Sequence, residues 1–227
     1  MSELLAPEHA GALAAIATVT VALVVLARRR PGGWLRWMAA VLVAVEVSWW
    51  VYLLAGGVPG SELAYSLPLQ LCDAAIFVAA AALWTRRHLL VEVTYFWGLA
   101  GTIQALLTPD LPQHFPSYPF FQYYIAHGGV VAAALVLVVG MRIFPEHLLR
   151  VIGVTLAYVV LVGLVDAVTG ANYMYLRAKP SAPTLLDLLG PWPVYILAAS
   201  VIGLVLFALL DSPFLFRRGA SRTAPPI

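Results

Sequence analysis

One cysteine and one deep histidine have the most specific chemistry of any residues in this chain. Cys72 is its single cysteine, and His127 lies inside a long apolar run. A low-dielectric surrounding disfavours the thiolate, so a buried cysteine becomes a nucleophile only beside a base. An imidazole within hydrogen-bond reach takes the thiol proton, pairs with the sulfur, and later returns the proton to a leaving group. The product would be a thioester and the reaction an acyl transfer. A carboxylate commonly orients such a histidine, and Asp166 and Asp73 are the candidates. Asp73 is about 100° around a helix from Cys72, so the two side chains cannot share a direction. The amides of Gln70 and Gln104 are candidate donors to an oxyanion. The bland alternatives are a packing cysteine and a histidine that only bridges helices.

A lone cysteine excludes a disulfide framework and every multi-cysteine metal site. There is no His-x-x-x-His or Glu-x-x-His spacing, no phosphate loop, no dinucleotide fingerprint and no Gly-x-Ser-x-Gly elbow. No metal and no cofactor are therefore expected.

These groups sit in a chain made for lipid. Of 227 residues 62% are hydrophobic and 11% charged, and mean hydropathy is +0.90. A soluble domain needs about a quarter of its residues charged, so a soluble enzyme and a nucleic-acid binder are excluded. A spanning helix takes about 20 mainly apolar residues, and seven stretches qualify: about 10–27, 35–55, 64–84, 89–108, 119–141, 148–169 and 191–210. The expectation is an all-α, seven-helix membrane domain over 1–211 with a short, partly disordered cytoplasmic tail at 212–227. Glu3 and Glu8 precede the first run while Arg28, Arg29 and Arg30 follow it, the reverse of a secretory signal. With the N-terminus outside, the inward segments carry Arg28, Arg29, Arg30, Arg36, Arg86, Arg87, Arg142, Arg150, Arg217, Arg218 and Arg222. The outward ones carry only Arg177 and Lys179. This asymmetry sets the orientation and predicts a multi-pass protein of the cell membrane with a cytoplasmic C-terminus.

Depth follows from direction. Cys72 and His127 each fall ~12 Å below the outer end of an inward-running helix. Glu46, Gln104 and Asp166 also lie in the outer half, whereas Glu92 is deep on the inner side within reach of Arg86 or Arg87. Gly128 and Gly129 admit a close neighbour. Pro68 loosens the turn before Cys72.

Five strings occur in order along about 60–210. They are Leu67-Pro68-Leu69-Gln70-Leu71-Cys72-Asp73, the run from Tyr95 to Asp110 with its Trp97-Gly98-Leu99-Ala100-Gly101-Thr102, and His127-Gly128-Gly129. The run from Gly170 to Pro180 and Leu185 to Pro193 complete the set. Together they resemble the bacterial YwaF-like integral membrane proteins, a group related to the transmembrane protein 164 acyltransferases. The resemblance implies Cys72 and His127 as a catalytic pair moving a fatty acyl chain between phospholipids, so membrane lipids are the expected partners. It also draws attention to Asn172, Tyr173, Tyr175, Arg177 and Lys179 in the last outer loop. There Arg177 and Lys179 would hold a phosphate headgroup, unless the loop is a lid with solvated charges. The alternative function is a transporter or ligand-binding protein with a polar site at Glu46, His127 and Asp166. A third is a scaffold without catalysis.

Overall fold

A computed structural model describes residues 6–56, 67–109, 111–180 and 184–222. Among these residues every regular element is helical. We number the main helices α1 (Pro7–Arg29), α2 (Trp34–Ala55), α3 (Leu71–Thr85), α4 (His88–Leu107), α5 (Tyr118–Gly140), α6 (Leu148–Thr169) and α7 (Val194–Arg222). Six are long and apolar enough to cross a membrane, and α3 is the shorter exception. Single 3-10 turns, Tyr173–Tyr175 and Leu185–Leu189, interrupt the connection from α6 to α7.

Local chemistry explains most boundaries. Pro7 opens α1, where its missing N–H costs nothing. Arg28 and Arg29 close α1, where positive charge suits the carbonyl end. Thr184 and Asp187 form a reciprocal cap on the second 3-10 turn. Arg86 and Arg142 adopt left-handed backbone, φ 55° and 59°, and turn the chain sharply after α3 and α5.

Two expected boundaries move. The third span was expected over 64–84, of which 64–66 lie outside the described residues, and its helix starts only at Leu71. The last helix was expected to end near 210 before a partly disordered tail. It instead continues through Pro213 to Arg222, and 223–227 lie outside the described residues.

Contacts divide the chain into two compact units. The first contains α1 to α5 and the strand of loop up to His147. Its interior is α4 and α5, with 56% and 67% of their most apolar windows buried. Both carry a π-helical segment, Trp97–Thr102 in α4 and Val136–Gly140 in α5. Small residues let the neighbours close in. A Cβ on Gly128 would stand 2.8 Å from Ile16 of α1, and one on Gly129 would stand 2.4 Å from Leu42 of α2. The close neighbours that the sequence anticipated for this glycine pair are thus α1 and α2.

The second unit contains residues 67–70, α6, α7 and their connection. Val162, Ala171 and Tyr173 form its buried cluster. Elsewhere α6 presents large apolar side chains outward, Val168 at 87% exposure, as lipid requires.

Candidate functional site

Cys72 is the second residue of α3, so it lies at the end of the helix where N–H groups lack intrahelical partners. The chain before it is not helical. Irregular backbone away from water needs partners within the protein, and residues 67–70 find them within the second unit. The Leu67 N–H donates to the Tyr173 hydroxyl at 2.7 Å and the Tyr158 hydroxyl donates to the Leu69 carbonyl at 3.0 Å. Gln70 Oε1 accepts the Met174 N–H at 2.8 Å. The tyrosines and the glutamine thus supply what a helix would have supplied. Cys72 stands thirteen positions before Thr85, the far end of α3, a rise of roughly 20 Å.

Cys72 is half-buried. Beside it lies Thr102, the last residue of the π-helical segment of α4, whose buried hydroxyl has no hydrogen-bond partner among the described residues. The segment is wedged between the helices of the two expected catalytic residues. A Cβ on Gly101 would meet Leu71 of α3 at 3.1 Å, and one on Gly98 would meet Val130 and Ala134 of α5 at 3.4 Å. π-Helical turns recur at functional sites because they redirect side chains within a helix.

His127 projects from α5, which also packs directly against α3. Its Nδ1–H donates to the Tyr123 carbonyl at 2.8 Å, and its ring lies on the Tyr123 ring with centroids 4.2 Å apart. The Tyr123 hydroxyl donates to the Ala105 carbonyl at 2.8 Å, which ties this stack to α4. With Nδ1 protonated, the lone pair belongs to Nε2. Among the described residues no hydrogen bond joins the Cys72 thiol to the His127 ring.

The other candidates are placed as follows. Asp73 lies in the first turn of α3, where its charge suits the helix dipole. Gln104 is exposed on α4. Glu46 is buried in α2, one turn before Trp50. Asp166 is fully buried in α6, and its Oδ1 accepts the Tyr173 N–H at 2.9 Å.

The connection from α6 to α7 largely holds itself together. Asn172 Oδ1 accepts the N–H groups of Arg177 and Ala178 at 2.9 and 3.0 Å, and its Nδ2 donates to the Ala178 carbonyl at 2.8 Å. Arg177 Nη1 donates to the carbonyls of Asp166 and Ala171 at 3.3 and 3.4 Å. Lys179 pairs with Asp187 at 3.8 Å and lies over the Tyr195 ring. Tyr195 in turn donates its hydroxyl to the Tyr175 carbonyl. These contacts fold the loop upon itself.

Sequence reasoning missed Thr102 and Tyr123. Tyr123 was legible as the residue one turn before His127; Thr102 was not, because the π turn changes which residues of α4 face α3. Glu92 also differs from expectation. Its partners are His88 and His147 and the N–H groups of Glu146 and His147, where Arg86 or Arg87 was expected.

The fold and its apolar helices define an all-helical, multi-pass membrane protein. The model of the TMEM164 family matches residues 4–211, and the chain belongs to that family. The kinship read from the five strings is thus membership, and it extends over the first two helices as well. No curated protein and no solved structure matches the chain.

Proposed function

We propose that this chain is a lipid acyltransferase that uses Cys72 as nucleophile and His127 as base. The observation that carries the reading is the Nδ1–H bond from His127 to the Tyr123 carbonyl. It leaves Nε2 as the proton acceptor, the tautomer a general base needs. In the first half-reaction the Cys72 thiol gives its proton to Nε2 and the sulfur attacks the ester carbonyl of a phospholipid. The carbon–oxygen ester bond breaks, the leaving oxygen takes the proton from the ring, and the acyl chain remains as a thioester. In the second half a lysophospholipid hydroxyl passes its proton to Nε2 and attacks the thioester. The carbon–sulfur bond breaks and the thiolate leaves, to be reprotonated by the ring. The opening turn of α3 and the Gln104 amide would steady the oxyanion.

An apolar groove of about 600 Å³ between α1, α2 and α5 supports a lipid substrate. Gly128 and Gly129, directly after His127, form part of its wall. Its aromatic end holds Phe115, Phe120 and Phe121, which suits the membrane interface.

In this reading α3, although short, is the third of seven spans, and the N-terminus faces outward as the arginine asymmetry demands. The site then opens to the outer leaflet of the cell membrane. If α3 ends at the inner face, the roughly 20 Å rise to Cys72 leaves the thiol about 10 Å below the outer face of a ~30 Å core.

The test uses purified chain in lipid nanodiscs with phospholipid carrying a labelled acyl chain. A hydroxylamine-labile label on Cys72 is expected, absent in Cys72→Ala and strongly reduced in His127→Ala. Unchanged acyl transfer in both variants would overturn the assignment.

A further inference from the structure

Away from Cys72 and His127, the opposite end of α4 gathers two imidazoles and two carboxylates. His88 begins α4 and Glu92 follows one turn later, while Glu146 and His147 arrive from the connection after α5. The left-handed Arg86 and Arg142 make the two turns that bring these segments together. One donor atom from each of His88, Glu92 and His147 lies within 4.8 Å of the others. Glu92 is nearly inaccessible at 1% exposure, whereas the side chains of His88 and His147 are each 40% exposed.

The distances discriminate between an ion pair and a coordination site. His88 Nδ1 lies 3.2 Å from Glu92 Oε1, and His147 Nδ1 lies 3.4 Å from the same oxygen. Ligands at ~2.0–2.1 Å around a tetrahedral ion stand about 3.3 Å apart. Neither contact is a hydrogen bond, and His147 Nδ1 is buried with no hydrogen-bond partner. Two imidazole nitrogens thus crowd one carboxylate at the spacing of ligands on a shared ion.

The supporting contacts fit as well. The N–H groups of Glu146 and His147 donate to Glu92 Oε1 at 2.7 and 2.8 Å, which fixes the carboxylate without neutralising it. Glu146 Oε1 stands 3.9 Å from His88 Nε2, on the far side of the ring from Glu92. A carboxylate behind a histidine is the usual outer partner of a metal-bound imidazole.

The geometry points to a divalent transition-metal site formed by His88, Glu92 and His147, with Glu146 as the outer partner of His88. Two imidazoles and one carboxylate suit zinc, with water completing the shell. The ion would fasten the 141–147 connection to the first turn of α4, and its role is structural. This site shares no residue with the acyl-transfer reading, so either can fail without the other.

The test takes tag-free, full-length protein in detergent, strips it with chelator and titrates it with Co²⁺. One Co²⁺ per chain, visible ligand-field bands and displacement by one equivalent of Zn²⁺ are expected. The double variant His88→Ala/His147→Asn should bind at least about 100-fold more weakly, and Glu146→Ala about tenfold. Should the double variant not give a monodisperse peak, His147→Asn alone keeps the Glu92 backbone contacts and should show the same loss. Absence of bands in the natural protein would overturn the site and leave a bare ion-pair cluster. Equal cobalt affinity in the histidine variants would also overturn it.

Discussion

Tyr123 holds His127 by two contacts of different kinds, a carbonyl that accepts Nδ1–H at 2.8 Å and a ring stacked at 4.2 Å. Tyr123→Phe keeps both and loses the hydroxyl bond to Ala105. It should cost about 1 kcal/mol of stability and leave acyl transfer within a few-fold of normal. Tyr123→Ala removes the stack, and misplacing a base by ~1 Å lowers a rate by up to about 100-fold. Transfer rates and thermal unfolding of the two variants test this. Full activity in Tyr123→Ala would sink the positioning role given to the Tyr123 ring.

Asp166 is expected to be a structural carboxylate. Asp166→Ala strands the Tyr173 N–H, a loss of roughly 1–3 kcal/mol for a buried donor. Asp166→Asn retains an acceptor and should lose less. Thermal unfolding separates the two, and equal loss would mean that the charge itself is what the fold requires.

Asn172 makes three hydrogen bonds across the turn of its loop. Asn172→Ala should leave the helices intact yet hasten proteolysis near Arg177 and Lys179. Unchanged cleavage would show that the arginine and lysine contacts alone keep the loop closed.

Gly140→Ala should destabilise more than Gly129→Ala. The new Cβ at 140 would press on Ala27 Cβ at 2.8 Å and the Val24 carbonyl at 3.2 Å, atoms that cannot rotate away. At 129 the obstacle is the flexible end of Leu42. Overpacking costs about 1–3 kcal/mol, with Gly140→Ala at the upper end. Unfolding temperatures in a common detergent would show the order, and the reverse order would refute it.

The long spans were legible because lipid leaves an apolar run few alternatives. The start of α3 was not: its apolar pattern reaches back before Leu67, and only the tertiary bonds of Tyr158, Tyr173 and Gln70 make an unwound stretch affordable there. Cys72 and His127 stood out by rarity, but no periodicity could place Thr102 beside the thiol. The His88–Glu92 pair was visible at helical spacing. Its third member, His147, comes from 55 residues away in sequence, a juxtaposition that depends on the left-handed turns at two arginines.

The π-helical segment at Trp97–Thr102 acts as a phase shifter between the two ends of α4. Each residue of an α-helix advances the face by ~100°, and a π turn accommodates one more residue than an α turn. Straightening that segment into α-helix with every residue kept would rotate Ile103–Leu107 by about that angle relative to Glu92. The His88 end of α4 would keep its neighbours, while the Leu107 end would turn Gln104 and the Ala105 carbonyl to new directions. That single frame offset lets one rod serve two differently oriented clusters.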